Sequence, residues 1–330
     1  MIEKTMVEAV NLALAQEMAS DEAVVVLGED IGRNGGVFRA TVDLLEEFGP
    51  RRVLDTPLAE GMIAGLAIGM ATQGLKPVAE IQFMGFIYPA MEQLACHASR
   101  MRHRSRGRLS CPMVVRAPFG GGIHAPEHHS ESTEALFAHL PGLKVVIPST
   151  PTRAYRLLLG AIRDPDPVIF LEPKRLYRKV KQRFEDDGEA LPLGSCFTSR
   201  VGSDITLVSW GACCDETGQA AELLGSRGIS AEVIDVATIK PLDMDTIIRS
   251  VRKTGRCVIV HEACASFGPG AEISAQLSER AMEALKAPVQ RVTAPDTVVP
   301  YLKQEHLYLP DVSDIVTAAL KCFDAFGEVA

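Results

Sequence analysis

Short apolar runs alternate with segments of helical periodicity along most of the chain. Runs rich in Val and Ile predict buried strands at 23–30, 76–81, 112–117, 143–148, 167–173, 204–211, 229–236, 256–263 and 288–294. Apolar residues three and four apart predict helices at 6–19, 61–72, 88–101, 153–162, 215–228, 243–255 and 268–285. Strands and helices that alternate in this way predict α/β domains of three layers, each with a mostly parallel sheet between helices.

One stretch interrupts the alternation near the middle of the chain. Residues 174–194, KRLYRKVKQRFEDDGEALPLG, are charged and contain a proline, and the strand pattern resumes after them. We therefore predict two α/β domains, at 1–185 and 201–330, joined by a linker at 186–200.

Composition and charge narrow the class of protein. The chain has 330 residues, 47% of them hydrophobic, which is enough for two buried cores. A net charge of -8 disfavours nucleic acid and anionic membranes as partners, and no apolar run reaches the roughly 18 residues of a membrane span. The eight cysteines form no C-x-x-C pair, and the start MIEKTMVEAV lacks the features of a signal peptide. We expect a globular protein of the cytoplasm with reduced thiols.

Two carboxylates stand where open α/β sheets bind ligands, beyond the ends of strands. Glu29 ends the first predicted strand, in GEDIGRNGGVF, without a phosphate-binding glycine motif. Carboxylates that satisfy the backbone donors of a turn explain it equally well. Glu60, in DTPLAEG, lies one residue past the capping-box position of a predicted helix. The helix dipole alone would account for a carboxylate there.

Aromatic residues follow the second predicted strand. Phe83, Phe86 and Tyr88 occur close together in a chain with only 5% aromatic residues. A ring at a strand end can stack on a heteroaromatic ligand, although packing in the core is the commoner use.

The stretch APFGGGIHAPEHHSES combines three glycines with His124, His128 and His129. It differs from H-E-x-x-H because the acid is misplaced and Pro126 separates the histidines, and neighbouring histidines point in different directions. Zinc is therefore disfavoured. A single histidine in a cleft, acting as an acid, a base or a charge stabiliser, is the better interpretation.

These segments together resemble one enzyme family. The matching stretches run in order along nearly the whole chain: GEDIG with GGVF, DTPLAEGMIAGLAIGMA, AEIQF with GFIYPAMEQ, RAPFGGGIHAPEHHSES, HLPGLKVVIPSTP, AIRDPDPVIFLEPKRLYR, EVIDVATIKPLD and APDTVVPY. The chain resembles the beta subunits of the decarboxylating, thiamin-diphosphate-dependent first component of 2-oxo acid dehydrogenase complexes. The resemblance implies a pyrimidine-binding domain followed by a transketolase C-terminal-type domain.

The resemblance also implies roles for single residues. Glu60 matches the glutamate that hydrogen-bonds the cofactor pyrimidine N1′ and so favours the imino tautomer of its amino group. Phe86 packs on the pyrimidine, Glu29 belongs to the same cofactor-binding set, and Glu92 joins a buried proton path. His129 precedes the serine of an H-S-x-S element, where it stabilises decarboxylation intermediates and assists acyl transfer to lipoamide.

A cation and several partners follow from the same resemblance. Asp164 and Asp166, in AIRDPDP, match a loop that in some members coordinates a structural potassium ion, although ordinary turn aspartates explain them as well. The alpha subunit would hold magnesium and the diphosphate in a heterotetramer of two alpha and two beta subunits. The acyltransferase core and its lipoyl domain would be further partners.

The function implied is oxidative decarboxylation of a 2-oxo acid, with pyruvate favoured over branched-chain substrates, and reductive acylation of lipoyl groups. A beta subunit of acetoin dehydrogenase and a non-catalytic subunit that organises a complex are the alternatives. A free-standing NAD dehydrogenase is disfavoured because no strand is followed by G-x-G-x-x-G.

Overall fold

The computed structural model describes residues 1–324. Its strands are β1 Ile2–Lys4, β2 Val24–Gly28, β3 Val53–Asp55, β4 Lys76–Glu80, β5 Val114–Phe119, β6 Lys144–Val146, β7 Val168–Pro173, β8 Gln182–Phe184, β9 Phe197–Arg200, β10 Ile205–Ser209, β11 Ala231–Asp235, β12 Thr238–Lys240, β13 Cys257–Cys264 and β14 Gln290–Ala294. Its α-helices are α1 Met6–Ser20, α2 Leu44–Phe48, α3 Glu60–Thr72, α4 Met101–Arg104, α5 Glu134–Ala138, α6 Pro151–Arg163, α7 Cys213–Ser226, α8 Met244–Thr254, α9 Pro269–Ala281 and α10 Val312–Asp324.

The first sheet has seven strands in the order β12-β6-β7-β5-β4-β2-β3. Every neighbouring pair is parallel except β12 and β6. The carboxyl ends of β2, β4, β5 and β7 therefore meet at one edge of the sheet. The predicted mostly parallel α/β architecture is confirmed.

The second sheet has five strands in the order β14-β13-β10-β11-β9, of which only β9 runs antiparallel to its neighbour. Two strands depart from the predicted plan. β9 falls inside the stretch 186–200 that was predicted as a linker, and β12, from the second half of the chain, forms an edge of the first sheet. Both pair with residues distant in sequence, so local periodicity does not reveal them.

One apolar cluster joins the two sheets. It contains Leu27 and Val115 of the first sheet together with Ile234 and Ile259 of the second, all fully buried or nearly so. A second cluster packs α1 and α6 on the outer face of the first sheet, and a third packs α7 and α10 on the second. The shared cluster packs the first sheet against the second half of the chain.

Several helices begin and end where local chemistry requires. Thr5 and Glu8 form a capping box at the start of α1. The hydroxyl of Thr150 caps α6, and Pro151 occupies the first turn, where its missing N–H costs nothing. α8 ends at Gly255, which is in the left-handed region with φ 77°.

The predicted helix at 88–101 is not a regular α-helix. The structure has 3-10 turns at 84–90 and 98–100 and a π-helical segment at 93–97. Pro89 cannot donate the hydrogen bond of a regular turn, which explains the irregular start. The segment packs closely on α3, where a Cβ added at Gly61 would lie 3.1 Å from the carbonyl oxygen of Pro89. This contact holds the segment that carries Phe86 against α3.

Candidate functional site

Two carboxylates lie together at the carboxyl edge of the first sheet. Glu29 directly follows β2, and Glu60 is the first residue of α3. Both are buried, with 7% and 8% of their surfaces exposed. Burial, followed by the charges of Glu60 and Asp30, raises the pKa of Glu29 above its usual value. The Oε1 atom of Glu29 is buried and has no hydrogen-bond partner within residues 1–324.

Aromatic rings stand beside His129. The ring of Phe83 lies 4.2 Å from the imidazole of His129, and that of Phe86 lies 5.2 Å from it, between ring centroids. Phe86 also contacts His128, at 5.0 Å. Gly85 permits this approach, because a Cβ there would collide with the carbonyl oxygen of His128. We call Glu29, Glu60, Phe86 and His129 the strand-end site.

The surroundings of His129 disfavour its charged form. Burial lowers its pKa first, and the charges of His128 and Lys174 lower it further. Its Nδ1 atom is buried without a hydrogen-bond partner among the described residues. A neutral histidine with a free ring nitrogen can accept or donate a proton near neutral pH.

The glycine triplet receives carboxylates from the second half of the chain. The amide of Gly121 donates to Glu262 of β13. The amide of Gly122 donates to Glu305 at 2.6 Å. A Cβ at Gly121 would lie 2.7 Å from the Glu305 carboxylate, so a larger residue there would displace that carboxylate. The amides of the triplet thus bind carboxylates of this same chain. The sequence does not predict this arrangement, because no motif surrounds Glu262 or Glu305.

His124 points away from the strand-end site. Its amide donates to Glu305 at 2.9 Å, and its Nδ1 lies 3.1 Å from the carbonyl oxygen of Leu302. The side chain is 67% exposed. His124 is therefore part of the contact between the two halves of the chain.

The remaining predicted residues make no contact with the strand-end site that the described residues show. Glu92 is exposed on the surface of the chain. Asp164 pairs with Lys144 at 2.5 Å, and Asp166 pairs with Arg102 at 2.7 Å. Within residues 1–324, no three His, Cys, Asp or Glu side chains are grouped as a metal site would require. Both aspartates are thus ion-paired inside the chain.

A buried ionic cluster lies within the first sheet. Arg116 of β5 donates to Glu172 of β7 at 2.6 and 2.9 Å and to Glu80 of β4 at 2.8 Å. The hydroxyl of Tyr177 donates to Glu172 at 2.5 Å. We call these four residues the Arg116 cluster. Sequence reasoning overlooked it, although charged residues inside the apolar runs VVRAPF and VIFLEP were a signal.

Comparison with known proteins identifies the family. The model of the transketolase pyrimidine binding domain matches residues 3–180, and that of the transketolase C-terminal domain matches residues 194–315. The pyruvate dehydrogenase E1 component subunit beta of Bacillus subtilis is 49% identical over 98% of this chain and 100% of its own length. The chain therefore belongs to the family of pyruvate dehydrogenase E1 component beta subunits. The Acholeplasma laidlawii member is 50% identical over 94% of this chain and 95% of its own length.

A solved structure has the same fold. A split-gene transketolase, described as an inactive beta4 tetramer, superimposes with a TM-score of 0.82 over 98% of this chain and 99% of its own, at 24% identity. The resemblance and the fold class predicted from sequence are thus confirmed. The roles of single site residues and the domain boundaries stay predictions. Among the described residues, no helix has both the length and the apolar character needed to cross a membrane.

Proposed function

We propose that the chain is the beta subunit of a pyruvate dehydrogenase first component. Together with an alpha subunit it decarboxylates pyruvate oxidatively on thiamin diphosphate and transfers the acetyl group to a lipoyl domain. Identity of about half the residues over the full length of beta subunits of that enzyme is the observation that carries this proposal. Family membership alone leaves branched-chain 2-oxo acids as competing substrates.

The residues of the strand-end site fit the aminopyrimidine of thiamin diphosphate. A buried carboxylate and an aromatic ring are what a flat, hydrogen-bonding heterocycle requires, and Glu60 and Phe86 supply them. The unpartnered Oε1 of Glu29 and Nδ1 of His129 are further polar atoms open to a ligand. Bound thiamin diphosphate supplies the electron sink that lets the bond between the carboxylate and carbonyl carbons of a 2-oxo acid break.

Side chains of the strand-end site bind and transfer the protons of the reaction. Glu60 holds a proton at the pyrimidine N1′, which a carboxylate does and an amide does not. His129, whose burial disfavours the charged imidazolium, exchanges a proton with the reacting carbonyl oxygen and gives one to the sulfur released when the lipoyl disulfide opens during acyl transfer. Phe83 and Phe86 fix the plane of its ring and exclude water beside it.

We further propose that partners complete the site. No phosphate-binding glycine motif occurs in the chain, which fits an alpha subunit that holds the diphosphate and magnesium in a heterotetramer. The acyltransferase core and its lipoyl domain are the downstream partners. All eight cysteines are free, which agrees with a reducing cytoplasm. A potassium ion at Asp164 and Asp166 stays a prediction, and it would share carboxylates that already pair with Lys144 and Arg102.

The test is to co-express the chain with the alpha subunit and to measure dye reduction with pyruvate, 2-oxoisovalerate and acetoin. We expect pyruvate to give the highest kcat/KM and the isolated chain to be inactive. Preference for 2-oxoisovalerate or acetoin would reassign the substrate. Activity of the chain alone would contradict the shared site.

A further inference from the structure

The loop that carries His129 is fastened on two sides. Residues 120–131 are closed at their base by a hydrogen bond from the amide of Gly120 to the carbonyl oxygen of Glu131, at 3.0 Å. On one side His129 packs against Phe83, as described above. On the other side the loop contacts Lys174, which follows β7, and Glu262 and Glu305 of the second half of the chain. That second side has no part in the predicted chemistry.

Glu305 is the centre of the second contact. It lies in the 3-10 turn Leu302–Leu307 and is only 1% exposed. Its Oε1 accepts from the Gly122 amide, and its Oε2 accepts from the His124 amide, at 2.6 and 2.9 Å. Burying a carboxylate is unfavourable unless charged or N–H groups surround it, and here two backbone amides and the His124 ring do so.

Lys174 adds a charge to the same contact. It is 3% exposed, and its ammonium donates to the carbonyl oxygen of Gly120. Burial lowers the pKa of Lys174 to about 8, while the charges of Glu262 and Glu305 act in the opposite direction. The two carboxylates therefore help to keep a cation beside the loop, and the charge of that cation also acts on His129.

We propose that Glu305 is a positioning residue for His129. By binding two amides of the 120–131 loop from the second half of the chain, it fixes the loop so that His129 stays against Phe83 at the strand-end site. The inference rests on the proposed function, because it takes His129 as the group whose position matters. Small misplacements of a reacting group cost up to about 100-fold in rate.

Glu305→Gln tests the proposal, because the amide replaces one acceptor oxygen with a donor that faces an N–H group. Glu279→Gln is the matched control, since Glu279 is exposed on α9. In the complex reconstituted with the alpha subunit, we expect Glu305→Gln to lower kcat with pyruvate and a lipoyl domain about tenfold or more. Hydrogen exchange should become faster in residues 120–131 and remain unchanged in α6. Glu279→Gln should change neither measurement.

A double-mutant cycle with His129→Ala separates positioning from a general structural role. If Glu305 acts through His129, then Glu305→Gln lowers kcat in the wild-type background but has no further effect on the residual rate of His129→Ala. An equal loss in both backgrounds, or wild-type exchange of the loop, overturns the proposal. Should Glu305→Gln not assemble, Glu305→Asp carries the same test, because its shorter side chain cannot reach both amides.

The cycle also distinguishes failure of the inference from failure of the proposed function. Wild-type turnover of His129→Ala would remove His129 from the chemistry and overturn the positioning role with it. Wild-type turnover of Glu305→Gln beside an impaired His129→Ala would overturn the inference alone.

Discussion

Two buried polar groups in the first sheet differ in how their charges are satisfied. In the Arg116 cluster, Arg116 binds both oxygens of Glu172 and one of Glu80, and Tyr177 supplies a further donor to Glu172. At the strand-end site, Oε1 of Glu29 and Nδ1 of His129 are buried without partners in the described part of the chain. Both groups lie within the same parallel sheet or at its edge.

The difference separates a structural role from a binding role. Buried polar atoms almost always have hydrogen-bond partners, because an unpartnered one costs about 1–3 kcal/mol. A fully paired cluster needs no ligand, and its removal should affect stability. Unpartnered buried atoms, of which that of His129 lies beside aromatic rings, indicate where a ligand would supply the missing partners, and their removal should affect binding and chemistry instead.

The largest effect is expected from breaking the Arg116 cluster. Arg116→Met leaves two buried carboxylates without their cation, which should lower the free energy of unfolding by about 3–5 kcal/mol. Urea denaturation followed by circular dichroism measures it. Arg183→Met is the control, because its ion pair with Glu3 is exposed and worth at most about 1 kcal/mol. Equal losses in the two variants would contradict the comparison.

Glu60→Gln should lower turnover without lowering the free energy of unfolding. The change removes a charge that acts unfavourably on Glu29, so unfolding should be no easier than in the wild type. Turnover of the complex with pyruvate should fall by about 100-fold, since the proton at the pyrimidine N1′ is no longer held by a carboxylate. Glu47→Gln, an exposed position in α2, should leave turnover unchanged. Loss of stability without loss of turnover would make Glu60 a structural residue.

Prediction from sequence succeeded where the signal is local. The buried strands β2, β4, β5 and β7 follow from short runs rich in apolar residues, and the strand-end position of Glu29 follows from the parallel order. The edge strand β12 pairs with β6 across some ninety residues, so its partner is visible only in the fold. Pro89 interrupts the hydrogen bonds of a regular helix and was a local signal of the irregular turn at 84–90. The apolar spacing around it nevertheless favoured a helix.

The candidate site shows the same limit. Glu60, Phe86 and His129 were predicted through motifs that resemble a known family, and the place of Phe86 after a strand agreed with that prediction. Glu305 contacts Gly122 across 183 positions of sequence, and nothing in its neighbourhood distinguishes it from a surface glutamate. The shared apolar cluster determines how the two halves of the chain pack. Contacts that depend on this packing cannot be predicted from the sequence of either half alone.

The smallest effect on stability should come from substitution of Glu29, and the direction of that effect is informative. The pKa of Glu29 is raised in the folded chain, so between the unfolded value of 4.5 and the folded value the native state binds the extra proton. Its contribution to stability is therefore complete below pH 4.5 and is lost as the pH rises through the folded pKa.

Glu29→Gln mimics the protonated form, so the variant should be slightly more stable than the wild type at neutral pH and equal to it in acid. Glu22→Gln, an exposed position nearby, should show no such difference. A Glu29→Gln variant that is less stable at neutral pH would mean that its carboxylate is satisfied like those of the Arg116 cluster, and the contrast between the two groups would disappear.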